Sequence, residues 1–244
     1  MVYLGYLSVN TGSSPLVNIL QLFKINTGLS SVSFSASMTM TMDKRDASTR
    51  ANIYDIIFSK DANIIIIAAT IVKDVNMRYL AGIFGIDGND AKMRFSYADT
   101  DLIDYMRFTN IANFVSGTSN IVWGCGDKPA STFVVARLTY SSGDSEDSDS
   151  SSGWIGTTSS SMNCRGIGKV TLTQAYVLAS SSSEQSLIKV NVVGTTRKMT
   201  KYDFQSAFAS SNINYGIFDS SGTNAWIVGD ATAFGGGLSK SFTK

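Results

Sequence analysis

Four carboxylates stand within six residues, at Asp144, Glu146, Asp147 and Asp149. Side-chain oxygens at one- and two-residue spacing suit a hard cation such as calcium. An EF-hand loop would need a Gly at its sharp turn, a Glu at its last position and flanking helices. Here Gly and Glu are misplaced and both flanks look like strands. The segment Ser141–Gly153, SSGDSEDSDSSSG, is free of apolar residues and equally suits a solvated surface loop. The two readings are no cofactor, with a solvated loop, and a calcium ion with these four acids as its ligand set.

Other constellations point to less. Gly166–Ile167–Gly168–Lys169 lacks the Ser/Thr and the following helix of a phosphate loop, and Val170–Leu178 after it is strand-like. Asp99, Asp101 and Asp104 offer paired acids of the kind glycosidases use. Two of them sit where a helix would begin, and the helix dipole favours acids there. Cys125 between two glycines is unhindered, yet the chain has no histidine to activate it. The absence of histidine also removes the commonest general base, the usual triads and most zinc sites. No catalytic or cofactor-binding residue is therefore assigned, and no small-molecule substrate is expected.

The elements that must position these groups are mainly strands. Val32–Met42 alternates Val, Phe, Ala and Met with Ser and Thr over eleven residues, a strict period of two. It predicts a strand with Val32, Phe34, Ala36, Met38 and Met40 in one apolar layer. Further strands are expected at Tyr3–Val9, Val17–Ile25, Ile64–Val72, Leu80–Ile86, Ala91–Tyr97, Ile121–Gly124, Thr132–Tyr140, Val170–Leu178, Leu187–Val193, Tyr215–Phe218 and Ala225–Val228. Turn residues such as Asn26–Thr27–Gly28 and Asp87–Gly88–Asn89 separate them. Ser180–Ser183 reads as the polar tip of a hairpin.

Helical spacing is confined to Asp46–Phe58, with Ile53, Ile56 and Ile57, to Thr100–Phe114, with Leu102, Ile103, Met106, Ile111 and Phe114, and to Thr200–Ala209, with Tyr202, Phe204 and Phe208. The expected fold is thus an antiparallel β-sandwich or barrel with two or three short helices. It is one β-rich domain over 1–244, with a polar acidic loop at 141–153 and a Gly-rich C-terminal segment at 235–244.

Composition narrows the function. Charged residues are 16% of 244, with 36 Ser and 21 Thr in their place, and the net charge is +1. Such a chain exerts no field that would gather nucleic acid or anionic membranes. Hydrophobic residues at 43% are enough for a sizeable core. The apolar run Ile64–Val72 is far shorter than the ~18 residues of a membrane-spanning helix, and no leader pattern opens the sequence. With no export signal, Cys125 and Cys164 read better as two separately buried thiols than as a disulfide, although a bond stays open.

Two stretches carry a family resemblance. VSFSASMTMTM, Val32–Met42, is an early alternating strand followed by a polar turn. VTLTQAYVLASSSSEQSLIKVNVVGT, Val170–Thr195, is a strand, a Ser-rich turn and a second strand. Together they resemble bacteriophage tail-tube and major tail proteins and the related tube of type VI secretion. The resemblance implies a β-sandwich or barrel that stacks into rings, with strands lining a lumen. The extra helices and the acidic loop would be insertions in that pattern.

The expected function is therefore a non-enzymatic, self-assembling structural subunit of a virion or phage tail-like particle. Its partners would be further copies in a ring, tube or lattice, at an extracellular or virion location. The alternatives are a receptor- or glycan-binding β-sandwich module and a β-pore-forming toxin whose Ser/Thr-alternating strand enters a barrel.

Overall fold

The computed structural model describes residues 2–10, 17–25, 32–41, 52–59, 64–72, 79–87, 93–99, 107–116, 119–128, 132–140, 154–158, 162–168, 170–181, 184–194, 196–203, 211–219, 224–231 and 240–243. Nearly all of them are strand. The protein is mainly β, as its composition and alternation predict, and its sheets are meanders in which chain neighbours pair.

The chain divides into two compact units, residues 1–107 with 140–151 and residues 108–139 with 152–244. In the first, β1 (Val2–Asn10), β2 (Val17–Ile25) and β3 (Val32–Thr41) form one antiparallel sheet. The alternating segment is a strand as predicted. The register shifts opposite Leu22/Phe23, so Phe34 pairs with Phe23 while Ala36 and Met38 pair with Leu22 and Leu20. Which layer the side chains of Val32, Phe34, Ala36, Met38 and Met40 join lies outside what the structure describes.

The second sheet of this unit runs β4 (Asn52–Phe58), β5 (Ile64–Val72), β6 (Tyr79–Asp87) and β7 (Met93–Asp99). Ile64–Ala69 and Gly82–Ile86 are buried without alternation, so this central pair is covered on both faces. The helix expected over Asp46–Phe58 is wrong where it is described. Asn52–Phe58 is a strand, with an extra residue between Ile53 and Asp55 in the ladder. That bulge sets Ile53 and Ile56 on one parity three residues apart, which imitates helical spacing. Ser59 Oγ and Tyr140 Oη hydrogen-bond at 2.9 Å, and the Arg107 guanidinium lies 5.7 Å from the Tyr54 ring centre.

In the second unit, β8 (Arg107–Ser116), β9 (Ser119–Lys128), β10 (Thr132–Tyr140) and β11 (Trp154–Thr158) form a sheet in the order β11-β10-β9-β8. β12 (Asn163–Gly168), β13 (Gln174–Ser180), β14 (Gln185–Val193) and β15 (Thr196–Asp203) form an antiparallel meander. β16 (Ser211–Phe218), β17 (Ala225–Ala231) and β18 (Lys240–Thr243) form a third sheet.

Two further helical expectations fail here. Arg107–Ser116 is a strand, and its buried pair, Phe108 and Ile111, stands three apart, a spacing that imitates a helix. Thr200–Asp203 belongs to β15, where Thr200 and Tyr202 pair with Lys189 and Leu187. The segments 46–51, 100–106 and 204–209 lie outside the described residues. Among the described residues no helix is long and apolar enough to cross a membrane, which says nothing of a β-barrel.

Candidate functional surface

Among the described residues the β12–β15 sheet meets neighbouring strands on both faces, and the two faces are built differently. One face packs against β9 and β10. Ile121, Trp123 and Cys125 alternate along β9, Phe133 and Val135 along β10, and Ala175, Val177, Ala179, Ile188, Val190 and Val192 answer them from β13 and β14. Alternation on both sides aims every second side chain into one buried cluster. Trp123 is fully buried and its indole N–H donates to the Thr171 carbonyl at 2.9 Å, so its polar atom is satisfied.

Within this cluster Cys125 and Cys164 are disulfide-bonded, with Cα atoms 5.8 Å apart. The expectation of two separate thiols is corrected. Each cysteine stands in a loop-like glycine context in the sequence, yet both belong to strands, β9 and β12, whose facing positions lie within disulfide reach. Asn110 Oδ1 sits 3.2 Å from Cys164 Sγ.

The other face of the sheet approaches β16 through missing side chains. Gly166 lies against the Gly216 backbone so closely that a Cβ on Gly166 would collide with the Gly216 carbonyl oxygen. A Cβ on Gly168 would stand 2.5 Å from Phe218 Cβ. The Gly166–Gly168 pair, considered above as a phosphate turn, is therefore a strand seam. A bulge at Cys164/Gly166 makes this possible. It puts Cys164 and Ile167 toward the apolar cluster and Gly166 and Gly168 toward β16.

A second bulge, at Ile213/Tyr215, takes Ile213 out of regular pairing with β17. Its backbone is satisfied by side chains of the facing sheet instead. Ile213 N–H donates to Gln185 Oε1 at 3.2 Å, and Ser180 Oγ–H donates to the Ile213 carbonyl at 3.1 Å. Arg165 Nε–H donates to Ser180 Oγ at 2.8 Å, and burial lowers the Arg165 pKa from its ordinary value. Sequence reasoning missed Ser180, Gln185 and Gly216. Their types gave no cue, because an isolated Ser, Gln or Gly in a Ser-rich strand looks like solvent-facing alternation.

Beyond that seam, alternation turns Tyr215 and Ile217 outward, 52% and 54% exposed. Their ladder partners Val228 and Trp226 are half-buried beside them. This is an apolar sheet face with no covering layer among the described residues. Asp219 and Asn224 close the hairpin through a side-chain bond of 2.8 Å. Lys240–Thr243, part of the Gly-rich C-terminal segment, pairs with Ile227–Asp230.

Asp144, Glu146, Asp147 and Asp149, the expected cation ligands, lie outside the described residues, as do Asp101 and Asp104. Asp99 ends β7. Among the described residues no group of three or more acids or cysteines is placed to hold a metal ion. The site expected from sequence and the surfaces seen in the structure are thus different regions. No protein-family model matches this chain, and no curated protein matches it.

Proposed function

We infer that the protein is a non-enzymatic, self-assembling structural subunit of a virion or phage tail-like particle, its second unit arranged as a layered β-sandwich. The observation that carries this is the uncovered apolar face of the β16–β17 hairpin, formed by Tyr215, Ile217, Trp226 and Val228. Each large apolar side chain left in water forgoes roughly 1.5–3 kcal/mol that burial would return. The inner face of the same hairpin is already covered, so the outer face suits a further copy of the chain. None of these four side chains is charged, which avoids the desolvation cost that a charged contact carries.

Negative-stain microscopy and sedimentation of the purified full chain test the proposal. Rings, tubes or lattices are expected, and Ile217→Lys should abolish them while leaving the circular dichroism spectrum unchanged. A full-length chain that sediments as a monomer at micromolar concentration, or an I217K chain that assembles as well as the parent, overturns it.

A further inference from the structure

The face of the β12–β15 sheet that meets β16 at Gly166 and Gly168 continues past β16 onto β13, β14 and β15. There the ladder sets Gln174, Asn191 and Lys198 in one row and Tyr176, Lys189 and Thr200 in the next. Gln174 Nε2–H donates to Asn191 Oδ1 at 2.6 Å, and Lys189 Nζ lies 5.7 Å from the Tyr176 ring centre. Lys198 is exposed, and Tyr202 beside Leu187 is 51% exposed. Neither row contains a carboxylate. Lys189 and Lys198 occupy diagonal positions on adjacent strands, ~7–8 Å apart, near enough to act on one anionic segment. Lys201, on the opposite parity, is already paired with Glu184.

The chain's near-neutrality conceals a segregation of charge. Asp144, Glu146, Asp147 and Asp149 fall in a thirteen-residue run with no base, 141–153. Setting those four acids aside leaves twenty bases against fifteen acids, a net of +5 on the remaining residues. A cationic strip and an acidic run on one chain are complementary between copies. They are also different stretches of the chain, so a contact between them in two copies is heterologous and propagates into a closed ring or an open filament.

We propose that the strip of Lys189, Lys198, Tyr176 and Tyr202 on β13–β15 docks the acidic segment 141–153 of a second copy of this chain. This rests on the self-assembly inferred above and names a contact within it, separate from the apolar face of β16–β17. Two other occupants fit less well. A sugar ring would have to displace Lys189 to stack on Tyr176, and a nucleic acid would meet two cations on a chain of net charge +1.

The test is charge reversal with rescue in the full-length chain. K189E/K198E and D144K/D147K are each expected to lower the assembled fraction in sedimentation velocity by about tenfold at low ionic strength. An equimolar mixture of the two variants offers each reversed strip a reversed segment, and the four-fold variant restores the complement in every copy. Both should recover assembly, and assembly of the parent should weaken as salt rises. K198E alone, at an exposed position, guards against misfolding and should give a smaller loss. Parent assembly that is insensitive to both reversals, or a four-fold variant that fails to recover, overturns the docking and leaves self-assembly standing. A parent that is monomeric at all salt concentrations overturns both. A melting shift on reversal with no change in mass places the segment on its own chain and overturns the proposal. Binding of an acidic oligosaccharide or a single-stranded oligonucleotide that K189E/K198E abolishes without affecting assembly also overturns it.

Discussion

The two faces of the β12–β15 sheet are held by opposite means. Toward β9 and β10 the sheet presents Val177, Ala179, Ile188 and Val190, and large side chains fill the gap and a disulfide crosses it. Toward β16 it presents Gly166, Gly168, Ser180 and Gln185, and the gap is nearly absent. Stability on the first face comes from apolar volume, and on the second from backbone approach and satisfied hydrogen bonds. The first face should therefore fail when atoms are removed, and the second when atoms are added.

The largest effect expected is on the filled face. Trp123→Ala removes the biggest fully buried side chain among the described residues and should cost about 3–5 kcal/mol, read as a lowered urea midpoint. Replacing Cys125 and Cys164 together by alanine should cost about 3 kcal/mol, since the bond closes a loop with a sequence separation of 39. A melting scan with and without reductant checks it, and the double variant should lose its response to reductant. On the close face, Gly166→Ala should cost roughly 2 kcal/mol although it adds one methyl group, because the atom it meets is backbone and cannot rotate away. An alanine there that leaves the melting point unchanged would break the contrast between the faces. The smallest effect is expected from Gln185→Ala, about 1–2 kcal/mol, through the orphaned Ile213 N–H. Amide exchange at Ile213 should accelerate in that variant while exchange at Val177 does not.

The filled face was largely legible in the sequence and the close face was not. Period-two apolar residues mark Val170–Leu178 and Leu187–Val193, and the hairpin at Ser180–Ser183 follows from them; the paired strands are Gln174–Ser180 and Gln185–Val193. Bulges defeat this logic. At Ile53/Asp55 and Cys164/Gly166 one added residue turns a spacing of two into three. That spacing reads as helix in the first case and hides a strand in the second. Within Val32–Met42 the strand assignment is correct, and the register shift opposite it at Leu22/Phe23 has no signal in its own alternation. The uncovered face of Tyr215 and Ile217 lay in an assigned strand, Tyr215–Phe218. Which side of it would remain bare depends on Gly216 meeting Leu178, a contact that links residues distant in sequence.

The meander order of the sheets has a consequence for how the chain reaches this state. Every pairing along β12–β15 joins a strand to the one made just before it. The loops that must close are short, so little chain entropy is lost before a ladder begins to return it. A sheet of this kind can form behind the ribosome as its last strand emerges, without waiting for distant partners. The Cys125–Cys164 bond is different, because β9 and β12 belong to separate sheets. The bond therefore ties together two layers that no ladder joins, and it limits how far they can part when the chain opens.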